Sequence, residues 1–454
     1  MPDFEPLYTA DEMRAAEARY PSYPESVPEL MERAGCHVAR VALERYPVAS
    51  RWTVVCGGGA NGGDGRIAAR ELERAGKDVL VVDAKVGDTD FGAPDAIVDA
   101  LFGTGFTGEP RADATALIER MNEAGVPVLS VDLPSGVDAS TGEIAGAVVR
   151  AGASVTFHAR KLGLVVAPGR FYAGDVHVAD IGLEGVGTNA SLVAPEILDA
   201  VPRRGERDNK YTSGHVLVVG GSPGLTGAPS LTAMAALRAD AGYVTLAAPE
   251  ETLPVFEQRL LEVVKRPLPD DLTELAAKAS SLAIGPGLGR SERARTLVRR
   301  VLAEIDKPIV VDADALFELE PGDWPGPRVL TPHEGELARL LGRSSQQVAA
   351  HRLASVREAA ERFRCVVLLK GPDTLVAAPG RSLLVSSLGL PSLATAGTGD
   401  VLTGIVGAFL AKGMDAQLAA AAGAAAQQLA SVAADQRAGL VAGDLIDALP
   451  RVLA

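Results

Sequence analysis

The sequence is poor in several things, and each shortage narrows the protein's class. It holds three cysteines in 454 residues, Cys36, Cys56 and Cys365, far apart and without paired spacing. That pattern argues against a disulfide scaffold and for a reducing compartment. Aromatic residues make up only 4%, so alanine, valine, leucine and 49 glycines must do the packing. Tight helix-on-sheet contacts are expected in place of aromatic clusters. No basic stretch offsets a formal charge of −14, with 58 acidic against 44 basic residues. Such a field disfavours nucleic acid and anionic membranes as partners. No apolar run approaches the roughly 18 residues that cross a bilayer; 79–82 and 366–369 are representative. The start, Met1-Pro2-Asp3-Phe4-Glu5, is acidic and lacks the basic-then-apolar pattern of a secretory leader. A cytoplasmic protein is expected.

What is present is an alternation. The length allows two or three domains, and 47% apolar content allows each a core. Thr9 and Glu12 form a capping box ahead of an alanine-rich helix, and a second helix is expected around 27–46. Short β-branched runs at 53–56, 79–83, 96–99 and 126–132 then alternate with helical stretches such as 66–75 and 112–124, the pattern of βαβ units and a parallel sheet. A proline-containing, charged stretch (195–209, with Arg203-Arg204-Gly205-Glu206-Arg207-Asp208) interrupts it. It is expected to be a solvated linker, with domains at 1–205 and 206–454. Beyond it strands are expected at 215–219, 243–247, 282–284, 309–311, 328–330, 366–369 and 375–378, with helices at 230–239, 292–304, 349–362 and 401–411. The alanine-rich 416–434 is expected to be a packed helix.

In the C-terminal half, Thr395-Ala396-Gly397-Thr398-Gly399-Asp400 precedes a helical run. Glycines free the backbone to turn N–H groups inward, and the helix start adds positive potential, together an anion cradle. Asp400 would repel an anion, but it suits a base that takes a proton from a hydroxyl beside a phosphate. An N-cap aspartate on a glycine turn fits the same residues equally well. Lys370 leaves a strand in Leu369-Lys370-Gly371-Pro372-Asp373-Thr374 and can reach a phosphate. Thr331-Pro332-His333-Glu334-Gly335-Glu336 runs from a strand into a helix start. Asp312-Ala313-Asp314-Ala315-Leu316 and Gly285-Pro286-Gly287-Leu288-Gly289 follow strands at the same sheet edge. The acidic pair there could be Mg²⁺–water ligands or caps.

Taken in order with Lys210-Tyr211, Gly220-Gly221-Ser222 and Thr226-Gly227-Ala228-Pro229, these motifs resemble the ADP/ATP-dependent NAD(P)H-hydrate dehydratase family over residues 206–454. The resemblance implies a ribokinase-like fold and a repair reaction on hydrated NADH or NADPH. ADP or ATP would phosphorylate the hydrate hydroxyl, and loss of phosphate would restore the ring. By the same resemblance Asp400 is the base, Gly399 cradles the transferring phosphate, and Lys370, Gly371, Pro372, Asp373 and Thr374 hold the nucleotide with Mg²⁺. Ala228, Gly287, His333 and Asp400 then line the hydrate pocket. Asp240, Phe317 and Gln427-Gln428 stand where the family pattern has Gly, Asn and His.

In the N-terminal half the run Gly57-Gly58-Gly59-Ala60-Asn61-Gly62-Gly63-Asp64-Gly65 holds six glycines in nine positions. Each costs conformational entropy, so close backbone approach to a ligand is expected. Asn61 and Asp64 set it apart from the dinucleotide-binding Gly-x-Gly-x-x-Gly fingerprint. Two further strand ends, 99–105 and 131–138, carry Asp99, Asp132 and Ser135, an oxygen-only set suited to a hard cation. These residues resemble the NAD(P)H-hydrate epimerase family over roughly 9–185. The resemblance implies K⁺ on Asn61, Asp99 and Ser135. It places Ala60, Asn61, Gly62, Gly63 and Asp64, the loop Gly103, Thr104, Gly105, Phe106, Thr107, Gly108 and Glu109, and Asp132 on the hydrate, Asp132 being the acid/base group. Ala60 replaces a usual Asn, and the segment 65–99 is shorter than the family pattern.

The expected whole is a two-domain α/β fusion, an N-terminal Rossmann-like αβα layer structure and a C-terminal ribokinase-like one. One domain would interconvert the two hydrate epimers and the other would dehydrate the S form, in a homo-oligomer as the resemblance implies. A ribokinase-like kinase for a vitamin precursor alcohol, with a non-catalytic N-terminal module, shares the Gly-Thr-Gly-Asp loop and is the rival reading.

Overall fold

The computed structural model describes residues 4–84, 90–436 and 438–454. Met1-Pro2-Asp3 lies outside the described residues, as does 85–89 within the short segment 65–99. Two compact units are present, Pro6–Ala190, and Ser191–Ala454 together with Phe4 and Glu5. The division falls before the expected 205 for a physical reason. The 3-10 helix Pro195–Ala200 carries Ile197 and Leu198 into the C-terminal core together with Val193 and Val201. Only the polar run that follows, 202–212, is exposed.

In Pro6–Ala190 six parallel strands lie in the order Asp78–Asp83, Arg51–Cys56, Ala96–Ala100, Val128–Val131, Ala153–Phe157 and Asp175–Ala179. Alternate residues supply two cores. Val54 and Val98 face Ala34, Val38 and Leu72 of helices Val27–Arg45 and Ala60–Arg74. Val55 and Ile97 face Leu117 and Ile118 of helix Ala112–Glu123. This is the three-layer arrangement expected.

One expectation needs correction. The glycine run is largely the start of helix Ala60–Arg74, which begins well before the expected 66. Three of its glycines pack against the sheet edge or the run's own backbone, and Gly63 packs on the Met31 methyl. A Cβ at Gly57 would strike the Leu101 carbonyl, at Gly62 the Gly57 carbonyl, and at Gly65 Ala100 and Cys56. Helix and sheet therefore touch through backbone, as the shortage of aromatics requires.

In the C-terminal unit neighbouring strands run Leu383–Ser386, Thr374–Ala377, Val366–Leu369, Arg328–Leu330, Ile309–Val311, Ser281–Ile284, His215–Val219, Tyr243–Ala248 and Val264–Pro267. The first three pair antiparallel and the others parallel, so the parallel alternation gives way to an antiparallel hairpin, beyond which the short strand Ala190–Leu192 joins the sheet. Helix 349–362 is in fact two helices, Ser345–Ala350 and Arg352–Phe363, broken at His351. Ala416–Ala433 is a packed helix as expected, with Ala419 to Ala422 fully buried. Gly404 lets helix Thr398–Ala411 lie against the backbone of helix Gly227–Arg238. Asp240, in the place of a glycine, takes that residue's left-handed conformation (φ 69°) and pairs with Arg204 at 2.7 Å and with Lys412. Aspartate tolerates that conformation better than most residues.

Each sheet has one point where the chain leaves to opposite sides. In the N-terminal unit it lies between Arg51–Cys56 and Ala96–Ala100, and in the C-terminal unit between His215–Val219 and Ser281–Ile284. Crevices at the carboxyl ends of such strands are where open α/β sheets bind ligands.

Candidate active sites

The N-terminal crevice opens into a cavity of about 590 Å³, lined among others by Ala60, Asn61, Asp64, Gly103, Thr104, Gly105, Phe106, Thr107 and Asp132. These expected hydrate residues are thus brought together. Gly62, Gly63, Gly108 and Glu109 do not line it. Gly63 packs on the Met31 methyl, and Glu109 lies beside Gly146.

Asp132 ends the strand Val128–Val131 in a left-handed conformation (φ 67°). Its Oδ1 meets Lys161 Nζ at 2.7 Å and accepts from Thr156 Oγ1 at 3.1 Å. Its Oδ2 accepts from the Thr104 amide at 3.1 Å, which ties the 103–107 loop to the carboxylate. Lys161 is 1% exposed and also donates to Thr156 Oγ1 and to the Phe157 carbonyl. Glu17, from helix Ala10–Glu17, completes the polar wall; burial first, then Asp132, holds its carboxyl above the usual range against Lys161. Lys161 and Glu17 escaped the reading of the sequence. A lysine just past a buried strand was the available signal for Lys161, the same one that drew attention to Lys370; Glu17 carries no local signal.

Asp99 is fully buried. Its oxygens accept from Ser135 Oγ (2.6 Å), Ser130 Oγ (2.9 Å), the Ser135 amide (2.9 Å) and the Leu101 amide (3.2 Å). All four donors are neutral, and burial raises the carboxyl despite them. Asn61 lies with its Oδ1 toward Gly103, and its buried Nδ2 has no hydrogen-bond partner. A buried carboxylate whose partners are all neutral, with the Ser130 and Ser135 hydroxyls beside it, fits the oxygen-donor chemistry of a monovalent cation.

In the C-terminal unit three adjacent parallel strands end at Asp312, Thr331 and Lys370. Lys370 Nζ meets Asp312 Oδ1 at 2.8 Å and lies 3.9 Å from Glu336 Oε2. Asp312, 1% exposed, also accepts from Thr403 Oγ1 at 2.7 Å. Burial opposes the lysine's charge, but Asp312, Glu336 and Asp400 outweigh it and raise Lys370 overall. Gly397 (φ 88°) starts the helix Thr398–Ala411, placing Asp400 in its first turn. A Cβ at Gly399 would stand 3.3 Å from Lys370 Nζ and 4.0 Å from Asp312 Oδ2, so the missing side chain leaves room beside the ammonium. Burial, followed by Asp312, pushes Asp400 up to about 7, with Lys370 pulling the other way.

The other expected residues divide. Thr232 Oγ1 reaches both the Ala228 carbonyl (3.1 Å) and the Asp400 carbonyl (3.0 Å), joining the start of helix Gly227–Arg238 to helix Thr398–Ala411. Gly287 (φ 58°) accepts from the Gly221 and Ser222 amides and closes the switch-point loops. His333 caps the helix Glu334–Leu341 and lies 3.6 Å from Glu336 Oε2, linking it to Lys370. Asp373 and Thr374 are buried in structural contacts. Asp373 pairs with Arg352, which also holds Glu334 and packs on Gly371, and Thr374 accepts from Gln428. Of the stretch 370–374 it is Lys370 whose side chain joins the site.

Such a pair of units defines a class, a ribokinase-like domain preceded by a Rossmann-like one. A ribokinase-like superfamily protein from Enterococcus faecalis shares the fold, at TM-score 0.53 and 22% identity over 60% of this chain and 97% of its own. Family models match twice: NAD(P)H-hydrate dehydratase over 216–451, and YjeF-related protein N-terminus over 27–90 and 82–163. The "Bifunctional NAD(P)H-hydrate repair enzyme Nnr" of Moorella thermoacetica is 39% identical, over 93% of this chain and 92% of that one. The ADP/ATP-dependent NAD(P)H-hydrate dehydratase from Bacillus subtilis, co-crystallised with ATP/Mg²⁺, is 30% identical at TM-score 0.54, covering 59% of this chain and 98% of its own. This chain belongs to the family of bifunctional NAD(P)H-hydrate repair enzymes.

Proposed function

We propose that the two sites act in turn on one damaged cofactor. The N-terminal cavity interconverts the epimers of hydrated NADH or NADPH, and the C-terminal site dehydrates the S form at the expense of ADP or ATP. The observation that carries this is Asp400, a carboxyl raised to about 7 in the first turn of a glycine-started helix, facing Lys370.

At the C-terminal site the Gly399 hollow receives the transferring phosphoryl group, with the helix N-terminus and Lys370 offsetting its charge. Asp400 takes the proton of the hydrate hydroxyl as that oxygen attacks phosphorus, and a value near neutrality suits such a base. Phosphate is then a far better leaving group than hydroxide, so its elimination restores the dihydropyridine. Ala228, Gly287 and His333 are proposed walls of the hydrate pocket, and Gly371 to Thr374 shape the nucleotide turn through backbone. Asp312, Asp314 and Glu336 bear on Asp400 but are engaged by Lys370, Arg290 and the His333 amide, so they form no ready-made carboxylate cage; Mg²⁺ would come with the nucleotide, whose phosphates it neutralises when bound.

At the N-terminal site Asp132 is the proposed acid/base group, positioned by Lys161 and Thr156. Ala60, Asn61, Asp64 and the loop 103–107 contact the hydrate. Asn61, Asp99 and Ser135 would hold K⁺, which supplies the positive charge missing beside Asp99.

The test is to give the protein mixed NADH-hydrate epimers and ADP and follow absorbance of the reduced ring. Complete recovery is expected; recovery of one epimer only would remove the epimerase half, and release of a stable phosphate ester would make the protein a kinase.

A further inference from the structure

Asp64 shares the N-terminal cavity with Asp132 but is held quite differently. It sits one turn into helix Ala60–Arg74, 7% exposed, and its Oδ1 has no hydrogen-bond partner. Three charged groups bear on it from three other elements: Asp132 after strand Val128–Val131, Glu17 at the end of helix Ala10–Glu17, and Lys161 beyond strand Ala153–Phe157. All four line one cavity. Lys161, the cation among them, is bound to Asp132 at 2.7 Å. A buried carboxylate facing two other carboxylates, with the nearby lysine already engaged, is stabilised by keeping its proton. Burial first, then Asp132 and Glu17, push Asp64 up to about 8 against Lys161. Near neutral pH it is an O–H donor beside a lysine-bound carboxylate. Two carboxyl groups in one site with opposite proton states are the arrangement that divides acid from base.

We infer that Asp64 is the proton donor of epimer exchange, working against Asp132 across the cavity; this rests on the epimerase reading above. A dihydropyridine is an enamine, so hydration puts the hydroxyl on the carbon bonded to the ring nitrogen. To invert that carbon its C–O bond must break. The nitrogen lone pair forms a C=N⁺ bond while the C–O pair leaves with oxygen, and the Asp64 proton goes to that oxygen so that water departs. Water then adds to the other face of the flat ring, the C=N⁺ pair returns to nitrogen, and Asp132 takes the proton of the incoming water. One water leaves and one enters, and one proton is given and one taken. In the opposite direction the two carboxyls exchange roles, and solvent exchange between turnovers restores the resting state.

The experiment uses the full chain without nucleotide, so that dehydration is silent, and follows conversion of one purified hydrate epimer into the other by chromatography. Asp64→Asn keeps size and polarity but removes the proton. Exchange is expected to fall about 100-fold or more, with hydrate affinity within about threefold of wild type. The wild-type rate should fall as pH rises through about 8, and that descent should vanish from the residual rate of the variant. Infrared difference spectra between mildly acidic and alkaline pH should show a protonated-carboxyl band that Asp64→Asn removes. Asp64→Glu should restore part of the rate. An Asp64→Asn rate within about threefold of wild type, or a loss confined to affinity, would overturn the proposal. Absence of exchange in the wild-type chain would instead overturn the epimerase reading beneath it.

Discussion

The two sites answer one electrostatic problem in different ways. Each gathers several carboxylates around one strand-end lysine, Lys161 in the first and Lys370 in the second. In the N-terminal cavity the surplus charge is removed by burial, and Asp64 is driven to about 8, above neutrality. In the C-terminal site Asp400 stops at about 7, where it is half ionised and ready to accept a proton. The difference follows from surroundings. Asp64 faces Asp132 and Glu17 with its Oδ1 unpartnered, whereas Asp400 lies in a helix first turn whose exposed N–H groups favour the anion. Similar ingredients, differently partnered, are proposed to serve as donor in one place and acceptor in the other.

The sharpest way to break this comparison is to remove each acid separately. Asp400→Asn should lower nucleotide-driven dehydration on the order of 10³-fold or more while leaving epimer exchange intact. A dehydration rate close to wild type would show that Asp400 only favours the helix start from its first turn and is no base. Asp132→Asn is expected to cost epimer exchange on the order of 10²-fold and to spare dehydration of the S form. Asn tolerates the left-handed conformation at 132, so the fold should persist. If both reactions fell together, the loss would be structural.

A smaller effect follows from proton state. A base must be ionised, so below about 7 the dehydration rate should climb about tenfold per pH unit and level off above it. The sign is opposite to that expected of the exchange reaction, whose donor must keep its proton. Parallel pH profiles for the two reactions in one preparation would erase the distinction drawn between Asp64 and Asp400. Bound nucleotide adds negative charge near Asp400, so the midpoint should rise on saturation with ADP.

Much of this was legible in the sequence, and the misses have definite causes. Strand ends bearing Asp99, Asp132, Asp312 and Lys370 could be placed because short β-branched runs stopping at Gly or Asp mark sheet edges. Their grouping at one end of each sheet followed from strand order, which single-sequence patterns do not give. Lys161 was missed because its partner Asp132 lies far off in sequence and meets it only through the parallel pairing of Val128–Val131 with Ala153–Phe157. Asp373 and Thr374, expected at the nucleotide, have side chains buried against Arg352 and Gln428, partners from distant helices that nothing local announces. Lys370, expected to face a phosphate, is paired with Asp312 at its strand end.

The glycine run 57–65 shows the same limit most clearly, because composition alone assigned all its glycines to a ligand. The structure divides them. Gly65 packs against Ala100 and Cys56, whereas Gly59 has open space around it and an ordinary φ of −99°. Gly65→Ala should therefore destabilise the N-terminal unit by about 1–3 kcal/mol through overpacking. Gly59→Ala should change it by less than about 1 kcal/mol, because restriction of the unfolded chain is offset by alanine's weakness as the N-cap of helix Ala60–Arg74. Thermal unfolding of the two variants measures the difference. Gly59 also lines the cavity proposed for the hydrate, so its variant should weaken hydrate binding with little loss of stability. If instead Gly59→Ala unfolded early and Gly65→Ala did not, the packing role would belong to the cavity side of the run and the division proposed between these glycines would be reversed.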